Sequence, residues 1–453
     1  MLPRCAEGEP GLTTGSPGHD AAVDETPPHA AAHESGRRFR TFDAVIDVPA
    51  FRWYLLSQVG NQSAQLMQMV VRGFLAYQLT GSFAALGLVE LAAAGPRVLL
   101  ALYGGVVADR AARRVIIQIG QALNASIAAI LATLLFADML RFEHLMFGAL
   151  AQGVLNSFVM PARQAMIPEI VGTSRLMNAF ALNQLVMNIL RLGAPALAGV
   201  LIAAFGGGWV FATMSGLFLF ALFTLFMVPK VTAADRAASA DRPGGGRTQS
   251  RTGGREIMEA VRYLRGQPIL YTLLGLHCII GILALPYQRL LPGFVDQVLA
   301  GGDHDRTAIL MGALLSFTAI GALAGSLLIA SLPNRERGKL LIGSLVFFAI
   351  GLFAFAMSTS FWLSAGIVII LGVGQAGRQS LIQILIQSYV SDEYRGRVSS
   401  IIVLEDGIES FGIFLIALLA EYAGPQVALG LVAIALALLA GWMWSSRRVR
   451  ELQ

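Results

Sequence analysis

The chain has 453 residues, of which 55% are hydrophobic and only 13% charged, and its formal charge is +5. A soluble domain carries about 25% charged residues, so a chain this apolar could not cover itself with polar surface in water. The basic residues sit in short clusters between apolar runs instead of on one continuous face, which argues against a nucleic-acid partner.

Residues 1–50 read as a disordered cytoplasmic tail, rich in Pro, Gly, His and charge and without the apolar core of a signal peptide. The spacing of His19, His29 and His33 is irregular, and no metal is expected there. Cys5 lies in this tail and Cys278 in an apolar run, so neither a disulfide nor a metal site is expected.

A helix needs about 20 mostly apolar residues to cross the hydrocarbon. Such runs fall near 53–79, 83–106, 115–137, 142–161, 178–204 and 208–228. Six more fall near 269–292, 307–331, 339–358, 361–388, 398–420 and 424–445. With a cytoplasmic N-terminus, these twelve spans leave only Arg141 and Arg306 in outside loops, whereas the Arg clusters around 37–52, 110–114, 230–265, 335–339, 395–397 and 447–450 all fall inside. Arg163 and Arg175 are also placed inside by this reading. That asymmetry is the positive-inside rule, and one missed or invented helix would scramble it.

The polar stretch 230–268 divides the spans six and six. Its first half, through Pro243 and Gly244, reads as a flexible linker. In its second half Ile257, Val261 and Leu264 recur at helical spacing between charges, which predicts an amphipathic helix on the cytoplasmic membrane surface. The domains are then a bundle over 51–229, a linker over 230–268, a second bundle over 269–446 and a short cytoplasmic tail over 447–453. Ile167-Pro168-Glu169 after span four and Ile386-Gln387-Ser388 after span ten open matching loops, as a duplication with a central site would have them.

Between spans two and three runs Gly104-Gly105-Val106-Val107-Ala108-Asp109-Arg110-Ala111-Ala112-Arg113-Arg114. Two glycines admit a neighbouring helix closely. A carboxylate at a helix C-terminus is disfavoured by its own dipole, so Asp109 needs a partner from elsewhere. This stretch resembles the cytoplasmic-loop signature of the major facilitator superfamily. The resemblance implies a conformational latch between Asp109 and the start of span eleven, near Arg397, Ser399 and Ser400. The second-half counterpart, Pro333-Asn334-Arg335-Glu336-Arg337, is degraded.

Further stretches narrow the likeness: Leu79-Thr80-Gly81-Ser82, Pro161-Ala162-Arg163-Gln164, Arg191-Leu192-Gly193-Ala194-Pro195, Leu290-Leu291-Pro292 and Arg395-Gly396-Arg397-Val398. Together they are similar to the enterobactin-exporter branch of that superfamily. The branch implies an all-α membrane protein of twelve transmembrane helices in two six-helix bundles, exporting siderophores, drugs or other small molecules at the expense of a proton gradient. Gly193 and Pro195 in span five resemble the Gly-Pro bend of proton-coupled exporters, with Ala194 where a Gly is usual. Plain helix packing is the competing reading there. Gly321 and Gly325 in span eight read as packing residues.

Charges inside the spans each cost about 2.5–3.5 kcal/mol on insertion scales and need a partner or water. Arg72 in span one and Glu90 in span two suit a structural pair, and Arg97 and Arg378 are further candidates for an ion pair or the substrate cavity. Arg191, near the middle of span five, is the best cation for an anionic substrate group or as a mobile partner of an acid. In span eleven Glu405, Asp406 and Glu409 crowd within a turn or so, and three such acids should not all be ionised. They are read either as proton carriers or as partners of an Arg on a neighbouring helix. Arg289 is expected to snorkel to the outer interface, and His277 to serve in packing.

No Walker loop, zinc spacing or nucleophile elbow is present, so no enzyme and no cofactor is expected. The expected partners are a small-molecule substrate, protons and membrane lipid, around a monomer in a bacterial cytoplasmic (inner) membrane with both termini inside. A proton-coupled importer or symporter is the alternative, followed by a non-transporting receptor or scaffold on the same fold.

Overall fold

The computed structural model describes residues 43–172, 175–229, 262, 267–331, 336–390, 395–450 and 452. The tail histidines and, but for Arg262, the expected amphipathic helix over 257–264 lie outside them. What is described is helical almost throughout, as a chain in lipid requires, because every backbone N–H and C=O must find its partner within the segment.

In chain order the first helices are α1 (Asp43–Asp47), α2 (Pro49–Thr80), α3 (Phe83–Arg110), α4 (Arg113–Phe136), α5 (Phe142–Val171), α6 (Leu176–Phe205) and α7 (Gly207–Phe226). After the linker come α8 (Pro268–Ala284), α9 (Pro286–Phe294) with a π-helical turn (Val295–Ala300), α10 (His304–Ser331) and α11 (Arg337–Met357). The last are α12 (Phe361–Tyr389), α13 (Arg395–Ala423), α14 (Pro425–Ser445) and α15 (Arg447–Arg450). The α8–α9–π run forms one broken span, Pro268–Ala300. It reaches past the expected end at Pro292, because Pro286 interrupts the helix and Pro292 leads into the π turn.

Among the described residues, ten helical segments are long and apolar enough to cross a membrane. The two other long helices are α2, with 32 residues, and α13, with 29. They stand where spans one and eleven were expected, and α2 falls short in apolarity, not in length. Gln58, Asn61, Gln62, Gln65 and Gln68 crowd one, and Glu405, Asp406, Glu409 and Glu421 the other. Helices that face a polar interior read as less hydrophobic than helices that face lipid.

The helices pack as two groups. In the first, α3 lies on α5, α4 on α5 and α7, and α2 on α6 and α7. In the second, α10 lies on α12, α11 on α12 and α14, and α8 on α13. Two seams join the groups, α6 against α10 and α3 against α13.

Small residues set these distances, as van der Waals packing in lipid demands. A Cβ on Gly104 would run into the Ser157 carbonyl of α5, and one on Gly321 or Gly325 into the Ile369 or Val373 carbonyl of α12. At the first seam Gly199 would meet the Ala308 carbonyl at 2.6 Å, and Gly312 the Pro195 carbonyl at 2.8 Å. At the second, Gly87 abuts Phe414 and Ala417, and Gly407 abuts Val98.

The α2–α3 turn depends on Gly81, whose φ of 65° lets its N–H return to the Tyr77 carbonyl and end the helix. On the face of the molecule that carries this turn, here the Gly81 face, the groups interlock. Gln297 Nε2 donates to the Tyr77 hydroxyl at 2.8 Å, and Glu421 Oε2 accepts from the Phe83 N–H at 2.5 Å and the Ala84 N–H at 3.3 Å. The carboxylate of α13 thus caps the positive end of α3 across the seam.

Candidate functional site

Glu90 lies on α3, buried toward α2 and α9. Its Oε1 accepts from Arg72 Nη2 of α2 at 3.0 Å and from Arg289 Nη1 of α9 at 3.2 Å. The expected Arg72–Glu90 pair is therefore present, but it is a triad, and its third member comes from the other group of helices. Arg289 does not snorkel to the interface: its side chain is 28% exposed and turned inward to Glu90. An unpaired carboxylate here would be costly, and an Arg with a long stem can reach either way. Arg97 stands two turns along α3 from Glu90, on the same face, with Nε donating to the Ala93 carbonyl at 3.2 Å.

Beside the triad is a small pocket of about 20 Å³, room for about one water. Glu90, Gln288 and Arg289 supply its polar wall, and Met69, Leu86 and Met311 are among its apolar lining. Both groups of helices contribute.

A second polar cluster lies inside the second group. Arg378 of α12 is 4% exposed, with its guanidinium 5.9 Å from the centre of the Phe348 ring. Such a cation–π contact offsets part of the cost of burial. The Glu409 carboxylate of α13 lies against Gly281 of α8, where any side chain would overlap it, and within electrostatic reach of Arg378. Nearby, Tyr287 donates to Gln375 Oε1 at 3.0 Å, and Gln288 Nε2 bonds both at 3.1 Å. His277 and Cys278 of α8 are half-buried.

The first group holds a buried amide network for which no role was read in the sequence. Gln121 Nε2 of α4 donates to Asn61 Oδ1 of α2 at 2.9 Å, and Gln68 pairs with Gln152 of α5. Polar residues every three or four positions along α2 were the available signal. Arg163, expected in a cytoplasmic segment after span four, is instead 3% exposed inside α5, which runs on to Val171. Its Nη1 donates to Gln58 Oε1 at 2.7 Å, and its own carbonyl accepts from the Tyr54 hydroxyl at 3.0 Å. Amide and hydroxyl partners make its burial tolerable without an acid.

Arg191 is exposed at mid-length on α6, below the point where Ser316 Oγ of α10 donates to the Leu192 carbonyl at 2.8 Å. On the same helix a Cβ on Gly193 would meet open space, whereas Pro195 and Gly199 form the tight contact with α10. The small residues of this stretch therefore pack a seam, with Gly193 apart from it.

Of the latch residues, Gly104 makes its close approach within the first group. Arg113 Nη1 pairs with Glu169 Oε1 at 2.8 Å, and Arg114 donates to the Val228 and Phe226 carbonyls at 2.5 and 3.1 Å, closing the end of α7. The side chains of Asp109, Arg110, Glu405 and Asp406 and the surroundings of Gly105 lie outside the described residues.

A family profile described as transmembrane secretion effector matches residues 43–453. The chain belongs to the transmembrane secretion effector family. Its relatives in this branch of the major facilitator superfamily include the staphyloferrin A transporter of Staphylococcus aureus (strain NCTC 8325 / PS 47). That protein is 23% identical over 75% of this chain and 81% of its own. The MFS-type transporter YfiS of Bacillus subtilis (strain 168) is 25% identical over 78% and 82%.

Among solved structures, the nucleoside transporter NupG superposes with a TM-score of 0.67 at 12% identity, covering 87% of this chain and 99% of its own. The peptide transporter POT bound to alafosfalin does so with a TM-score of 0.68 at 13% identity, covering 90% and 96%. At such identities the likeness shows the fold, which is that of the major facilitator transporters. This transmembrane secretion effector is accordingly a multi-pass α-helical membrane transporter, not an enzyme.

Proposed function

We propose that this transmembrane secretion effector exports a small molecule (a siderophore, drug or other metabolite) in exchange for protons, by alternating access between two six-helix bundles over 51–229 and 269–446. In this reading α2 and α13 complete a set of twelve spans. Both termini lie in the cytoplasm of a bacterial cell, the Gly81 face is extracellular, and the protein acts as a monomer.

One observation carries it: ionised side chains from both groups, Glu90 with Arg72 and Arg289, meet at the seam beside a pocket. Charge has no reason to stand between two bundles in lipid unless a polar passage runs there. The interlocked Gly81 face suits a state closed to the outside, from which rocking of the bundles would open it. Asp109 latches the opposite state against the start of α13, Arg191 lies on the substrate path, and Glu405, Asp406 and Glu409 carry the proton, with the bend at Gly193 and Pro195 helping α6 to move.

The test begins by comparing secreted metabolites of a deletion strain and its parent, which names the substrate. Purified protein in liposomes with an imposed pH gradient should then drive that substrate against the proton flow. Movement with the protons would make it a symporter, and no movement under any gradient would end the transport coupling proposed here.

A further inference from the structure

The triad at the seam is short of acceptors. Each guanidinium offers five N–H donors in a rigid fork, and Arg72 and Arg289 both converge on a single oxygen, Glu90 Oε1. Arg72 Nε is buried without any acceptor. One carboxylate between two arginines leaves a net positive triad, and the adjoining pocket is polar only along Glu90, Gln288 and Arg289, with apolar walls elsewhere.

Such a site fits a ligand with a small anionic head. Planar forks favour carboxylate or phosphate, which they can hold through paired bonds.

We propose that this pocket binds the anionic group of the transported molecule, and that Glu90 is a built-in substitute for it. With the site empty, Glu90 holds Arg289 of the second group to α2 and α3. A substrate carboxylate takes over Arg289 and Arg72 and displaces Glu90. The substrate class is therefore organic anions. The inference rests on the transport reading for its meaning, but its test uses binding at equilibrium, with no gradient, so either can fail without the other.

The full chain, purified in detergent, is titrated calorimetrically with succinate and with its neutral isostere succinamide. Succinate should bind and succinamide should not. Arg289→Gln and Arg72→Gln should each weaken succinate about tenfold or more, the loss expected for a charge-assisted hydrogen bond. Glu90→Gln should strengthen it by a similar factor, because the competitor is gone. A Glu90 with only a structural role predicts the opposite sign, so weaker binding by Glu90→Gln in a protein that still melts cooperatively overturns the proposal. Arg289→Lys, which keeps the charge and the fold but loses the fork, should fall between Arg289→Gln and the parent, and binding as weak as Arg289→Gln also supports the fork. Equal binding of succinamide overturns it.

The anion could also be a lipid headgroup. Titration in nanodiscs of phosphatidylcholine with and without phosphatidylglycerol separates the two. An unchanged succinate isotherm supports a soluble substrate, and its loss on adding phosphatidylglycerol assigns the site to lipid and overturns the proposal.

Discussion

At the scale of the residue, what matters is whether a buried charge is balanced, and by what. Glu409 rests against Gly281, and a methyl group there would overlap its Oε1. The carboxylate is the far end of a flexible side chain, so Gly281→Ala should fold, with a melting temperature close to the parent's. The displaced acid should nonetheless lower the transport rate about tenfold, a loss in the range typical of a mispositioned acid–base group. Arg114→Ala tests a residue with a different task. It removes the cap on the last carbonyls of α7 and should cost about 0.3–1 kcal/mol, read as a small drop in thermal stability with the transport rate per folded molecule unchanged.

The charged candidates were all visible in the chain as ionisable residues inside apolar runs. Apart from the Arg72–Glu90 pair, their partners were not, because an Arg stem can reach lipid interface, a carbonyl or an acid with equal ease. Arg289 turned to an acid and Arg163 to an amide, in both cases a partner inside the protein. The helix that holds Arg163 simply continued past the point where apolar residues thin out.

At the scale of the element, glycines decide which helices touch. Gly321 meets the Ile369 backbone inside the second group, where nothing can move aside. Gly321→Val should therefore cost about 1–3 kcal/mol by overpacking and lower the yield of folded protein in a detergent size-exclusion profile. Gly199→Val lies at the seam between groups, and each group can still fold around it. Its effect should show in the closure of the Gly81 face. With Cys5 and Cys278 replaced, cysteines introduced at Tyr77 and Gln297, whose side-chain tips bond across the seam, should be bridged by a short bifunctional thiol reagent well in the parent and poorly in this variant.

Hydropathy runs located the elements well because crossing a bilayer is a demand on each segment alone. The same measure underrates α2, whose Asn61 and Gln68 face inward. The break at Pro286 and the π turn after Pro292 were announced by prolines, but the direction in which the span would go on was not.

At the scale of the whole molecule, the prediction concerns sidedness. Reporter fusions after Leu452 and at the N-terminal tail should both be active only with cytoplasmic reporters, and a cysteine in the Gly301 turn should react with an impermeant maleimide added to intact cells. Reaction from the cytoplasmic side alone would reverse the orientation proposed above.

Solvent and local geometry are written in the linear chain. Apolar runs of sufficient length must become helices in lipid, basic clusters must stay where the membrane potential and the insertion machinery leave them, and Gly81 must turn. These are demands on neighbours along the backbone. Which charges face one another is of another kind. Glu90 and Arg289 are 199 residues apart in sequence and 3.2 Å apart in space, and that distance follows from how two helix groups lean together, a lateral packing of small side chains with no signature in any one segment.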